Sequence, residues 1–404
     1  MTTQPLDPKG ISAFAIGRLP RIEFGRGSFA RLAPLVAHYG RRVLLVTGRH
    51  SFPSSPYFQQ LLAAFDHHGL SHLHVTIDGE PSPQLIDALV MRHAESGIEV
   101  VVGIGGGSAL DAAKALAGLL PLRQSVMDFL EGVGPELAYP GPALPLIAVP
   151  TTAGTGSEVT RNAVLSVFGP NGFKKSFRDE QLVAEVAIID PALLASCPPA
   201  VIAANGMDAL TQLLESYVST RGNPLIDALA LSGLQAVGGS LLDWYRDGEQ
   251  ATAAQQQMAY AAMLSGITLS QVGLGSVHGL AAPLGAFCPI PHGVACGTLV
   301  AAATRVNIEA LKARLPDSPA LPRYAQAARV LSGQSLVSAE QARTVLIELL
   351  ADWRQQLQLP GLSDYGVRRE HLDHIVAHAR GNSMKTNPVH LLDDELRVIL
   401  EQCL

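Results

Sequence analysis

Three stretches of this 404-residue chain carry side chains at spacings that could do chemistry. The first reads Gly-Ile-Gly-Gly-Gly-Ser-Ala-Leu-Asp-Ala-Ala-Lys-Ala, from Gly103 to Ala115, directly after the apolar run Ile98–Val102. Gly105, Gly106 and Gly107 carry no Cβ, so their amides can approach a ligand closely. Unpaired amides at a helix start, with the positive dipole end behind them, favour an anion. Ser108 is expected to cap that helix, and Asp111 to complete a capping box with Asp in place of the usual Glu. The simplest anion for such a turn is the pyrophosphate of a dinucleotide. The spacing is not the Rossmann G-x-G-x-x-G, because Ser108 stands at its third glycine, and no Gly-Lys-Ser/Thr follows to make a P-loop.

The second stretch, Pro150-Thr-Thr-Ala-Gly-Thr-Gly-Ser-Glu-Val-Thr-Arg-Asn162, begins right after a predicted strand, where ligand crevices of open α/β sheets lie. Thr151, Thr152, Thr155 and Ser157 supply hydroxyls, and Gly154 and Gly156 allow close backbone approach. The third concerns metal. Asp208 and Gln212 sit four apart in a predicted helix and share one face, and His278 and His292 follow. Taken singly, each histidine reads as a satisfied core or surface group rather than a ligand. The four cysteines (Cys197, Cys288, Cys296, Cys403) show no C-x-x-C or other metal-ligand spacing and read as reduced thiols of a cytosolic protein.

The rest of the chain must hold these groups in place. Up to about residue 195, apolar strand candidates (Arg42–Thr47, His72–Ile77, Ile98–Ile104, Leu144–Val149) alternate with helical stretches (Phe29–His38, Ser55–His68, Ser82–Ser96), and Pro20–Gly25 leads as an extra strand. Such alternation implies a parallel sheet covered on both faces. Asn162–Phe168 and Ala184–Ile189, with Gly169–Gly172 as a turn after the first, suggest a hairpin-like excursion. After Asp190-Pro191 the strand signals stop. Ala/Leu-rich segments of helical spacing then run to the C-terminus, among them Met207–Ser219, Pro224–Tyr245, Ala251–Leu264 and Ala339–Leu357. The chain is long for one core. We therefore expect an α/β dinucleotide-binding domain with a parallel sheet over residues 1–195 and an all-helical domain over 196–404.

Composition excludes several classes. A net charge of −6 with no Lys/Arg block argues against nucleic acid as a partner. The N-terminal MTTQPLDPKG is polar and proline-containing, unlike a signal peptide. The least charged stretch, Gly279–Thr304, is interrupted by Pro283, Pro289, Pro291 and His292 and offers no clean membrane span. A cytoplasmic protein without membrane association is expected.

GGGS-x-x-D-x-x-K at Gly105–Lys114 and PTTAGTGSE at Pro150–Glu158 resemble signatures of the iron-containing (group III) alcohol dehydrogenases, whose fold is dehydroquinate synthase-like. Gly206-Met-Asp-Ala-Leu-Thr, Gly273-Leu-Gly-Ser-Val-His278 and Pro291-His-Gly-Val are similar to that family's three metal-ligand segments, in the same order. The resemblance runs from Thr47 to Asn387-Pro388. It implies a metal-dependent, NAD(P)-linked alcohol dehydrogenase or aldehyde reductase, with Fe²⁺ or Zn²⁺ held by the helical half on Asp208, Gln212, His278 and His292. It also implies a homo-oligomer, a dimer. On this resemblance the cofactor site comprises Gly48, Arg49, Gly105, Gly106, Gly107, Ser108, Thr151, Thr152, Thr155, Ser157, Asn162 and Lys174, the last two at positions that contact ribose.

Two positions depart from the pattern. The family's usual ligands are one aspartate and three histidines, and Gln212 occupies the place of the first histidine, a poorer donor for Fe²⁺ or Zn²⁺. Ala282 falls where many members carry a second histidine near the nicotinamide, and alanine cannot relay a proton. Either water and ribose hydroxyls carry the alkoxide proton, or the missing ring makes space for a bulkier substrate. No carboxylate follows Val46-Thr47, so NADP is not barred, and Arg49 could pair with a 2′-phosphate. The apolar Leu280, Ala281, Ala282, Leu284 and Phe287 suggest an uncharged alcohol or aldehyde and disfavour a lyase that needs a basic phosphate site. The alternatives are a metal-independent reductase of the same fold and a catalytically silent nucleotide-binding homologue.

Overall fold

The computed structural model describes residues 11–404, and the N-terminal MTTQPLDPKG stretch lies outside them. The first half places β1 (Arg21–Phe24), α1 (Leu32–Tyr39), β2 (Arg42–Gly48), α2 (Pro56–His67), β3 (Ser71–Ile77), α3 (Pro83–His93), β4 (Val100–Gly105), α4 (Gly107–Leu119), β5 (Leu146–Pro150), β6 (Asn162–Val167), β7 (Phe173–Arg178) and β8 (Val186–Ile189) along the chain. Six of these strands form one parallel sheet in the order β1-β8-β5-β4-β2-β3.

The period-2 geometry of a strand explains the two cores. Val43 and Leu45 of β2 turn to the face covered by Leu32, Val36 and Phe65. Leu44 and Val46 turn to the other, where α3 and α4 bring Ile86, Val90, Leu110 and Leu116. Burial on both faces accounts for the unbroken apolar runs in the central strands. From β2 the chain moves outward to β3, and from β4 it moves the opposite way to β5. A crevice therefore opens between the carboxyl ends of β2 and β4, at Gly48-Arg49 and Gly105–Gly107, the place where such sheets bind ligands.

The expected hairpin is corrected here. Asn162–Phe168 does not pair with Ala184–Ile189; β6 pairs antiparallel with β7, while β8 slots between β1 and β5. Every residue of β8 is buried, and only the interior of the sheet offers it two apolar faces. β7 (FKKSFR) escaped notice because its charged residues mask its alternation.

The second half is helical: α5 (Pro199–Val218), α6 (Pro224–Gly238), α7 (Leu241–Asp247), α8 (Thr252–Val272), α9 (Ser276–Phe287), α10 (His292–Arg314), α11 (Ala320–Ser332), α12 (Ala339–Gln356), α13 (Leu372–His378) and α14 (Asp393–Glu401). The single helix expected over Pro224–Tyr245 is broken between α6 and α7, where the Ser240 hydroxyl turns back onto the Ala236 carbonyl. Helix α10 is long and apolar enough to cross a bilayer by composition, yet 83% of its apolar window is buried, so it serves as the central helix of a core. Small residues set how closely it approaches α5. Gly293 lies against the Ala204 main chain, and a Cβ on Gly297 would come within 2.8 Å of the Met207 Cβ. This contact brings the polar face of α5 beside the first turn of α10.

Candidate metal centre and cofactor loops

Asp208, Gln212 and Glu215 lie at i, i+4 and i+7 on α5, one face of a helix that is buried almost throughout. Asp208 is 1% exposed. Its Oδ1 lies 3.2 Å from His278 Nε2 and 3.9 Å from His292 Nε2. His278 sits in the first turn of α9, and its Nδ1 meets Glu215 Oε2 at 2.7 Å. The other Glu215 oxygen accepts the Val277 N–H at 2.7 Å. A carboxylate behind a ring nitrogen fixes the tautomer and aims the opposite nitrogen forward. His292 opens α10, and Cys296, one turn later on the same helix, places its sulfur 3.6 Å from His278 Nε2 and 3.7 Å from His292 Nε2. One donor atom from each of Asp208, His278, His292 and Cys296 falls within 4.8 Å of all the others.

The structure thus brings together three of the four residues the sequence proposed as ligands. Gln212 is on the correct helix face, but its amide oxygen accepts the Ser265 hydroxyl at 2.6 Å. Sequence reasoning missed Glu215 and Cys296. The signals were present: the i+7 step from Asp208 and the i+4 step from His292. A search for cysteine–cysteine spacing could not detect a histidine–cysteine pair, and the Cys296 sulfur falls within the donor cluster.

Burial and close contact shape the electrostatics of this cluster. Asp208 Oδ2 is buried and has no hydrogen-bond partner, an arrangement that costs free energy unless something positive completes it. Burial penalises charge on Asp208, but the His278 hydrogen bond and both imidazoles outweigh it and hold the carboxyl below its ordinary range. Burial, reinforced by the Lys174 charge, pushes His292 down to about 4, leaving it a neutral lone-pair donor at ordinary pH. Burial also opposes charge on His278, yet its neighbours Cys296, Asp208 and Glu215 hold that ring well above its usual value. Burial pushes the Cys296 thiol up to about 12, and a bound cation would invert that preference. A hard carboxylate, two imidazoles and a thiol suit a divalent transition metal. The residues present therefore fit the metal implied by the sequence resemblance.

The cofactor loops adjoin this cluster. Gly106 caps α4, correcting the expectation for Ser108, which lies inside the first turn. Asp111 makes no capping box. It accepts the Ser157 hydroxyl at 2.6 Å and lies 3.5 Å from Lys114 Nζ, which reaches Ser157 Oγ (2.7 Å), Thr160 Oγ1 (2.8 Å) and the Asn162 carbonyl (2.6 Å). Ser157 therefore spends its hydroxyl inside the protein. The glycine turn faces the threonine loop: a Cβ on Gly107 would fall 2.8 Å from Thr155 Cγ2, and one on Gly106 would fall 3.4 Å from Thr152. Thr151 binds back to β4 through its amide, donating to the Gly105 carbonyl at 2.9 Å. The same loop touches α8, where Ser265 Oγ lies 3.3 Å from the Gly154 carbonyl as well as on Gln212.

The remaining expected cofactor contacts are engaged elsewhere. Asn162 Oδ1 accepts from Arg178 at 2.8 Å, and Lys174 pairs with Glu80 at 2.6 Å. Arg49, beside Gly48 at the end of β2, pairs with Asp78 at 2.5 Å. The missing carboxylate is thus supplied from the end of the neighbouring strand β3, a relation that becomes visible only once β2 and β3 pair.

Comparison with known proteins bears directly on this arrangement. Residues 20–191 match the model of the iron-containing alcohol dehydrogenases, and residues 202–404 match that of the C-terminal region of the same family. The chain belongs to the iron-containing alcohol dehydrogenase family. It is an oxidoreductase of the alcohol dehydrogenase kind, and the lyase, metal-free and silent alternatives are not favoured. Alcohol dehydrogenase 4 of Saccharomyces cerevisiae is 33% identical to this family member over 388 residues, covering 94% of this chain and 95% of that protein. An NADPH-dependent butanol dehydrogenase of Clostridium saccharobutylicum is 30% identical over 95% of this chain and 96% of its own length. The structure of sulfoacetaldehyde reductase from Bifidobacterium kashiwanohense in complex with NAD⁺ superposes with a TM-score of 0.83 at 27% identity, covering 97% and 99% of the two chains. A parallel-sheet half followed by an all-helical half is the architecture these enzymes share.

Proposed function

We propose that this dehydrogenase interconverts a small alcohol and its aldehyde or ketone, using NAD or NADP and a divalent cation, Fe²⁺ or Zn²⁺, held on Asp208, His278 and His292. The observation that carries this reading is the convergence of buried donors around the unpartnered Asp208 Oδ2. When bound, the cation supplies Lewis-acid polarisation of the substrate oxygen, and the nicotinamide supplies a hydride donor or acceptor. The protein's own part is positioning. Glu215 holds His278 so that Nε2 faces the cluster, and burial keeps His292 neutral. The amides of Gly105–Gly107 and Ser108 at the start of α4 suit a pyrophosphate, with Thr151, Thr152 and Thr155 across from them. Lys174 and Asn162 sit on the β6–β7 hairpin, and Lys174 is close enough to act on His292 electrostatically. Its pairing with Glu80 leaves it available to a ribose only by exchange.

Arg49 and Asp78 bear on the nicotinamide cofactor. An exposed ion pair of this type is worth about 0–1 kcal/mol, so a 2′-phosphate can compete for Arg49, with Asp78 tilting the balance towards NAD. The reading includes a dinucleotide-binding domain over residues 1–195 and a metal-binding domain over 196–404, supported by the end of the last strand at Ile189. It also includes a cytoplasmic dimer, supported by four free cysteines and the exposed apolar Ile11, Phe14 and Ile16. Metal reconstitution tests it. Chelator-stripped protein is expected to regain turnover of a panel of alcohols and aldehydes in proportion to bound Fe²⁺ or Zn²⁺; full turnover in protein shown to be metal-free would overturn it.

A further inference from the structure

We propose that Cys296 is a metal ligand, its sulfur taking the place in the coordination set that the glutamine at 212 has vacated. The cation is then held by one carboxylate, two imidazoles and one thiolate. This rests on the reading above that the chain holds a divalent cation. It adds a ligand that neither the sequence resemblance nor the comparisons assign.

Geometry carries the argument. A tetrahedral zinc site, with Zn–S of about 2.3 Å and Zn–N and Zn–O near 2.0–2.2 Å, has N···S edges of roughly 3.6 Å and N···O edges of roughly 3.3 Å. The sulfur lies 3.6 and 3.7 Å from the two ring nitrogens, and the carboxylate lies 3.2 and 3.9 Å from them. Three of these four edges match a coordination polyhedron that includes the sulfur, and the fourth, from Asp208 to His292, is longer. Gln212, by contrast, directs its amide oxygen to Ser265.

The other thiols behave differently. Cys197 and Cys403 each donate to a main-chain carbonyl at 3.3 Å, as a packed thiol does. The Cys296 sulfur instead meets the two imidazole nitrogens and acts on the Asp208 carboxylate. It is fully buried next to the unpartnered Asp208 Oδ2.

Binding breaks the S–H bond, forms one metal–sulfur bond and releases the proton to solvent, with no change of oxidation state. Two anionic ligands then balance the charge of the dication. A soft thiolate in place of a hard amide oxygen favours Zn²⁺ over Fe²⁺, so this member of an iron-named family is expected to select zinc.

Cobalt substitution tests the ligand without relying on turnover. Stripped wild type loaded with Co²⁺ is expected to show an intense near-ultraviolet sulfur-to-cobalt charge-transfer band beside the visible bands. Cys296→Ser is expected to lose the former and keep the latter. Cobalt bound to wild type without the charge-transfer band, or a band that survives in Cys296→Ser, would overturn the thiolate and leave the metal reading standing. Failure of wild type to bind any cation would remove both. X-ray absorption of the zinc-loaded wild type needs no variant: a sulfur shell at about 2.3 Å supports the proposal, and a shell of nitrogen and oxygen alone at about 2.0–2.2 Å refutes it.

Discussion

Two buried polar networks in this protein are finished in opposite ways. On the sheet side, Lys114, wholly buried, has three oxygen partners at 2.6–2.8 Å and Asp111 nearby at 3.5 Å. Its network ties α4 to the loop after β5 and to β6. On the helical side, Asp208, His278, His292 and Cys296 converge at 3.2–3.9 Å and leave Asp208 Oδ2 with no partner. A completed buried network fixes a scaffold. An incomplete one pays a desolvation cost that only a ligand can return. The motif GGGS-x-x-D-x-x-K mixes both roles: its glycines shape the turn that faces the threonine loop, while its Asp and Lys brace the structure behind it.

The largest test of this contrast is Lys114→Met. Removing one partner of a buried pair typically costs about 3–5 kcal/mol, so denaturant unfolding should show a loss of that order while metal content per folded molecule is unchanged. Asp208→Asn should do the reverse. Its metal-free stability should fall by less than that of Lys114→Met, because the amide oxygen still accepts from His278. The stabilisation on adding zinc, about 4 kcal/mol at a thousandfold excess over the Kd, should disappear from the melting curve. If Lys114→Met released metal, or Asp208→Asn unfolded the metal-free protein, the division into scaffold and site would collapse.

Glu158, on the loop that reaches Lys114, offers a pH test. Burial pushes its carboxyl up from 4.5 to about 7. Below the unfolded value both states hold the proton and stability is highest. As pH rises from about 4.5 through 7 the unfolded chain ionises first, so stability falls, by about 3 kcal/mol in all for a difference of this size. Glu158→Gln should flatten that part of the profile; an unchanged slope would remove Glu158 as its source. The smallest effect is expected at the surface. Asp78→Ala frees Arg49 and should raise the kcat/KM ratio of NADP to NAD by less than tenfold, in keeping with an exposed pair, whereas a shift towards NAD would contradict the pairing.

Much of the site was legible because its residues lie in short local strings. The glycine turn, the threonine loop, Asp208, His278 and His292 each sit in a recognisable segment, and the main alternation of strand and helix followed from hydrophobic period alone. The misreadings concern how side chains are engaged. Ser108 gave way to Gly106 as the cap, Ser157 turned inward to Asp111 and Lys114, and Arg49 acquired Asp78. For Ser157 and Arg49 a partner far along the chain decided what the side chain does, while the cap shifted within its own turn. Likewise β8 joined the main sheet because its four residues needed two buried faces, which a hairpin could not provide.

The amino-acid sequence alone determined the family, the α/β-then-helical plan and three members of the buried donor cluster, because these reside in local spacing and periodicity. Only the tertiary structure decided that the Cys296 sulfur joins the donor cluster while Gln212 turns to Ser265, and that Glu215 braces His278. The placement of Cys296 depends on how closely α10 can lie against α5. Two small residues, Gly293 and Gly297, set that approach by packing on Ala204 and Met207.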